Sequence, residues 1–125
     1  MGKKVFVICT VRGASDKYRQ KLENYVADLE HDGYEVHLPH RDTNQFVSSI
    51  GICTQNFVAI NDADEVHIFY SSKSTGTHFD MGMAFALQKP IVVVENEEHQ
   101  MFDEDGNYQK SFPSMLDEWE ESITK

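Results

Sequence analysis

The sequence predicts a single-domain α/β fold, a doubly wound three-layer sandwich around a mostly parallel sheet of four to five strands. Three observations carry that expectation. Short apolar runs alternate along the chain with segments of helical spacing. Several of the runs are rich in β-branched residues and are continuous rather than alternating, as strands covered on both faces are. The length, 125 residues, suits one domain spanning 1–125 and suffices to bury a core without disulfide staples.

Lys4–Thr10 reads as the first buried strand, and Val11–Ser15 as a loop holding Arg12 and Gly13. Over Asp16–His31, Tyr18, Leu22, Tyr25, Val26 and Leu29 recur at helical spacing, and Gly33 is a natural stop. Tyr34–Leu38 reads as a second strand, followed by a loop over Pro39–Thr43. A helix is expected from about Asn44 to Asn61, with Phe46, Ile50, Cys53, Phe57 and Ile60 as one apolar stripe. Val66–Tyr70 is the third strand. The polar loop Ser71–Thr77 comes next, then a helix from about His78 to Leu87 that is apolar nearly all round and reads as buried. Asp80 falls in its first turn on that reading. Lys89-Pro90 ends the helix, and Ile91–Val94 suits a central parallel strand. Glu95–Asp105 is acidic and irregular, Asp105-Gly106-Asn107 is a turn signal, and Tyr108–Phe112 offers a short fifth strand. Ser114 can cap a last helix packed through Met115, Leu116, Trp119 and Ile123.

Strand–helix alternation implies right-handed crossovers, and ligands in such folds bind outside the carboxyl ends of the strands. Thr10–Gly13, Pro39–Asp42 and Ser71–Gly76 all belong to that edge. The hydroxyl-rich loop opening a helix favours an anion, and Asp80 places a carboxylate beside it. The formal net charge of −10 argues against a nucleic-acid polymer as partner, but not against a single nucleotide. Cys9 and Cys53 lie in apolar runs and read as buried thiols of a reducing, cytoplasmic compartment. No stretch is read as a signal peptide or membrane span. Neither a cofactor nor a metal is expected. His37 and His40 are close in sequence, but a strand end and a loop do not fix metal geometry, and no third ligand is indicated. His78 reads as exposed, and His67 as turned outward or satisfied between layers.

The run from Ser74 through Leu87, then Lys89-Pro90, resembles the nucleoside 2-deoxyribosyltransferase superfamily. Val5–Ala14 resembles its 2'-deoxynucleoside 5'-monophosphate N-hydrolase branch, and Ile52–Asp64 resembles the family's second-helix segment. The resemblance covers residues 5–95. It implies a carboxylate nucleophile at the position of Asp80, attacking C1' of the sugar as in retaining glycosidases. It implies a base-facing or proton-transferring residue at Asn56, and an orienting residue at Phe6. It also implies pairing of copies through the second and third helices. Each of the three positions departs from the family pattern, which has Glu, Asp and Tyr there. Thr10, Arg12, Gly13, Ser72, Ser74 and Gly76 remain suited to a 5'-phosphate, with His40 as a further ligand contact. Three readings stay open: an N-glycosidase or deoxyribosyltransferase-like enzyme, a noncatalytic nucleotide-binding module, and a protein-interaction domain.

Overall fold

The computed structural model describes residues 2–96 and 102–123. Within them the order is β1 (Lys4–Ile8), α1 (Asp16–His31), β2 (Glu35–His37), α2 (Pro39–Asp42), α3 (Ser49–Asp62), β3 (Glu65–Phe69), α4 (Thr75–Ala86), β4 (Ile91–Glu95) and α5 (Phe112–Ile123). The four strands form one parallel sheet in the order β2-β1-β3-β4. The sequence of strands reverses direction between β1 and β3, and a crevice opens outside the carboxyl ends of those two strands.

Period-two alternation divides the core into two layers. Val5, Val7, Cys9, Val36 and Phe69 pack under α1 through Leu22 and Val26. Phe6, Ile8, Val66, Ile68 and Ile91 face the other way, against Ile60 of α3, Met81 and Ala84 of α4, and Leu116 and Trp119 of α5. Helices thus cover both faces. Trp119 is core, meeting Phe85 edge-on. His67 is satisfied between layers, hydrogen-bonded to the Tyr25 hydroxyl at 2.6 Å and to Glu65 at 2.9 Å.

Caps decide where several helices begin, and they account for most differences from the sequence expectation. Ser74 Oγ accepts the Thr77 N–H, so α4 starts at Thr75 rather than His78, and Asp80 lies in its second turn, not its first. Ser48 caps α3 in the same way, so that helix starts at Ser49 rather than Asn44. The Gln55 amide holds the intervening loop by pairing with both the N–H and the C=O of Asn44. Pro39–Thr43 is not an open loop. Pro39 opens a one-turn helix, α2, whose Asp42 carboxylate accepts the Leu38 N–H. Ser111, not Ser114, caps α5: its hydroxyl accepts the Ser114 N–H, and Ser114 is buried one turn inside.

Three packing expectations are also overturned. The expected stripe is mostly unburied: Phe46, which falls in the loop before α3, is 100% exposed and Ile50 77%, and of the stripe only Ile60 reaches the core. α4 is not buried all round, since Phe79 and Phe85 stand out of the core. β4 is an outer strand among the described residues, not a central one, and the Glu120 carboxylate of α5 takes its Val93 N–H at 2.6 Å. Tyr108 forms one isolated antiparallel bridge with Phe102 and no fifth strand. Gly106 adopts positive φ at the expected turn, while residues 97–101 of the acidic segment lie outside the described residues.

Candidate functional site

A cleft of about 730 Å³ occupies the crevice at the strand-order reversal. The turn after β1 supplies Cys9, Thr10, Val11, Arg12 and Gly13. The loop after β3 and the start of α4 supply Ser71, Lys73, Ser74, Thr75, Gly76, Phe79 and Asp80. α3 contributes Ile52, Cys53 and Asn56. Gly13 holds φ +71°, which an L side chain rarely adopts, so the turn that presents Arg12 requires glycine. The first N–H groups of α4 and the hydroxyls of Ser71, Ser74 and Thr75 sit on one side of the cleft. Lys73 adds positive charge in the same loop, and Arg12 adds it from the turn after β1, so the cleft fits a phosphate.

Asp80 is the only carboxylate among the described lining residues and is 7% exposed. Burial pushes its pKa up to about 7, and a hydrogen bond from Asn56 opposes the shift. Asn56 is itself 8% exposed, and its Oδ1 accepts the Thr43 hydroxyl at 2.7 Å. Cys9 lies beside this carboxylate, and desolvation followed by the nearby Asp80 charge raises its thiol to about 12. A thiol held so high is no nucleophile at neutral pH.

The structure therefore brings together Asp80, Asn56, Thr10, Arg12, Gly13, Ser74 and Gly76 in one cleft. It places three other candidates elsewhere. Phe6 is fully buried, with its ring stacked on His37 at 5.1 Å, so it lies behind the cleft. Ser72 is exposed on the loop but does not line the cleft. His40 lines an adjoining hollow of about 510 Å³, with Arg19, Glu23 and Arg41. His78 is not an exposed helix-start residue: it is half-buried, bonded to the Tyr70 hydroxyl and the Ser74 carbonyl, and packed on Phe112. Lys73 was not singled out by sequence reasoning, although it is the one cation within the hydroxyl-rich loop. Among the described residues no group of three His, Cys, Asp or Glu is placed to hold a metal, and no helix is long and apolar enough to cross a membrane.

A parallel sandwich with an acid and a helix start facing one crevice defines a small-ligand-binding α/β domain. Comparison narrows the class: the model of the family described as nucleoside 2-deoxyribosyltransferase matches residues 2–117, so the chain belongs to that family. Among solved structures, a CMP N-glycosidase (BcmB) from Clostridium botulinum is 27% identical, with a TM-score of 0.57 over 71% of this chain and 68% of that one. A 2-deoxyribosyltransferase from Leishmania mexicana is 20% identical, with a TM-score of 0.64 over 89% of this chain and 80% of that one. A 2-deoxyribosyltransferase from Bacillus psychrosaccharolyticus is 16% identical, with a TM-score of 0.61 over 90% and 89%. The last two show the fold. No curated protein matches significantly.

Proposed function

We propose that the protein cleaves the N-glycosidic bond of a nucleoside 5'-monophosphate, with Asp80 as nucleophile. The observation that carries this reading is a solitary buried carboxylate in the same cleft as Arg12, Lys73 and the start of α4. The 5'-phosphate would sit against the hydroxyls of Ser74 and Thr75 and the α4 N–H groups, with Thr10 and the Arg12 turn opposite. The likeness to a CMP N-glycosidase supports a monophosphate over a bare nucleoside.

In the first step a lone pair of the ionised Asp80 forms a bond to C1', while the C1'–N pair leaves with the base, which takes a proton from water. In the second step water attacks C1', losing its proton to the hydroxide left by the first step, and the C1'–O bond to Asp80 breaks to release the sugar phosphate and the free carboxylate. The transition state in both steps is oxocarbenium-like. Attack requires the ionised acid, so activity rises as pH rises through about 7. Asn56 donates to the carboxylate but supplies no proton of useful acidity, so its role is to position. Incubation with a panel of ribo- and deoxynucleoside monophosphates, with released base quantified, tests the reading. Release that is lost in Asp80→Ala is the expected result; no release with any of them overturns it.

A noncatalytic binding module is the second reading. It is favoured by the shorter Asp80 side chain, because a displacement of about 1 Å can cost on the order of a hundredfold in rate. Asp80→Glu discriminates: a gain in base release indicates a pocket limited by reach, whereas calorimetric binding without release in either protein indicates a sensor.

The exposed Phe46 and Ile50, with the partly exposed Phe57, are further proposed to be covered by a second copy of the chain, since an apolar stripe of this kind is uncommon on a monomer. Light scattering is expected to give a dimer, and Ile50→Glu a monomer.

A further inference from the structure

The first turn of α4 is closed more tightly by a side chain than by its own backbone. The backbone N–H of His78 reaches the Ser74 carbonyl at 3.4 Å, at the long end of hydrogen bonding. The ring Nδ1 of the same residue lies 2.7 Å from that carbonyl. Its Nε2 lies 2.9 Å from the hydroxyl of Tyr70, the residue that follows β3. Tyr70 is 7% exposed, and its backbone N–H donates to the Glu95 carbonyl at 2.9 Å. Phe112, the first residue of α5, packs edge-on against the His78 ring at 4.8 Å.

Counting protons leaves these links one arrangement. A carbonyl oxygen only accepts, so Nδ1 must carry the ring proton. Nε2 of the neutral ring then offers a lone pair, and Tyr70 donates its hydroxyl proton to it. The core is thus joined through Tyr70 and His78 to the backbone of Ser74. Ser74 in turn sets the start of α4. Its carbonyl takes both bonds from His78, and its Oγ accepts the Thr77 N–H, which leaves the hydroxyl proton for an anion. The N–H groups of Thr75 and Gly76 have no protein acceptor among the described residues, and both residues line the cleft. A Cβ added at Gly76 would meet nothing within 4 Å, so the helix start is open to a ligand.

We propose that His78 and Tyr70 are positioning residues for phosphate binding: they hold the Ser74 carbonyl, and so keep the first-turn donors of α4 set for the anion before it arrives. Neither residue lines the cleft, so each acts through Ser74. The proposal rests on the reading that a 5'-phosphate occupies the start of α4, and not on the chemistry at Asp80. A donor array fixed in advance binds more tightly than one that must be ordered by the ligand.

The test compares His78→Leu, His78→Asn and Tyr70→Phe with the parent protein. Inorganic phosphate is titrated while the nitrogen-15 shifts of the Thr75 and Gly76 amides are followed. Base release is measured on a nucleoside monophosphate and on the matching nucleoside. In the parent, phosphate is expected to move both amides. His78→Leu is expected to weaken phosphate binding and raise KM for the monophosphate by roughly tenfold, with kcat, and KM for the nucleoside, within about twofold of the parent. Asn places its amide nitrogen where Nδ1 stood, so His78→Asn is expected to recover most of the loss, and Tyr70→Phe to cost roughly two- to threefold. Those two variants decide the matter if His78→Leu does not fold. Nitrogen-15 shifts of the His78 ring are expected to report the Nδ1-protonated form in the parent; the Nε2-protonated form overturns the proposal. It is also overturned by parent amides that phosphate leaves unmoved, by a lower melting temperature in His78→Leu with phosphate affinity unchanged, or by an asparagine variant no better than leucine. Phosphate binding in the expected order of variants, without base release from any nucleotide, supports this proposal and overturns the catalytic reading, so the two failures are distinct.

Discussion

Two hollows lie side by side at the carboxyl edge of the sheet, sharing Val11 and Gln45 in their walls. In the smaller one the charge is spent on the fold. Arg41 bonds Glu30, Asp42 and the Val36 carbonyl, stitching α1 to the end of β2. In the larger one, burial leaves Asp80 near neutrality, opposed only by an uncharged amide. Neither Arg12 nor Lys73 makes an ion pair among the described residues. Charges paired with each other hold a structure together; charges held apart in a cleft await a ligand, and burial without a partner is how active sites raise a carboxylate pKa.

Asp80→Asn breaks this contrast most severely. Loss of the nucleophile is expected to lower base release by on the order of a thousandfold or more. The same change is expected to stabilise the protein. The folded pKa, about 7, lies above the ordinary 3.8, so ionising Asp80 costs stability as pH rises between those values. The gain is therefore full above pH 7, on the order of 2–4 kcal/mol, and fades toward pH 4. Thermal melts at both ends of that window check it; equal melting temperatures for parent and variant at pH 8 contradict it.

Arg12→Met and Lys73→Met sharpen the cleft side. Each removes a charge-assisted contact, so KM for a nucleoside monophosphate is expected to rise roughly tenfold to a hundredfold, with little change for the unphosphorylated nucleoside. A parallel loss for both substrates would place the phosphate elsewhere. Arg41→Met probes the paired hollow and has the smallest expected effect: its partners are substantially exposed, so about 1 kcal/mol of stability goes and base release stays within twofold. Chemical denaturation and initial rates measure the two halves of that expectation.

The contrast was only half legible in the chain. The alternation of apolar runs and helical spacing placed the strands within a residue or two, because burial on both faces imposes continuous β-branched runs. The cleft loops followed, since a parallel sheet delivers them to one edge. What sequence spacing missed was set by short polar contacts. Ser74 begins α4 three residues early and thereby moves Asp80 away from the helix end. Asp42 turns a presumed loop into α2. Resemblance to the family suggested an orienting role for Phe6, yet its side chain is buried in the core, because a strand residue's face follows from pleat and register. The exposed α3 stripe shows the converse limit: periodicity announces an apolar face without saying what covers it.

The edge position of β2 carries a consequence for temperature. It is three residues long and pairs with β1 alone. Its final residue, His37, is hydrogen-bonded to Thr43, which is bonded in turn to Asn56 of the cleft. Margins of a sheet fray before its middle, at free energies well below that of global unfolding. Warming should therefore disorganise the cleft while the longer helices and the other three described strands still give a native circular dichroism spectrum. Amides of β2 would exchange with deuterated solvent first, and the ceiling for function would be set at the rim of the fold rather than by its core.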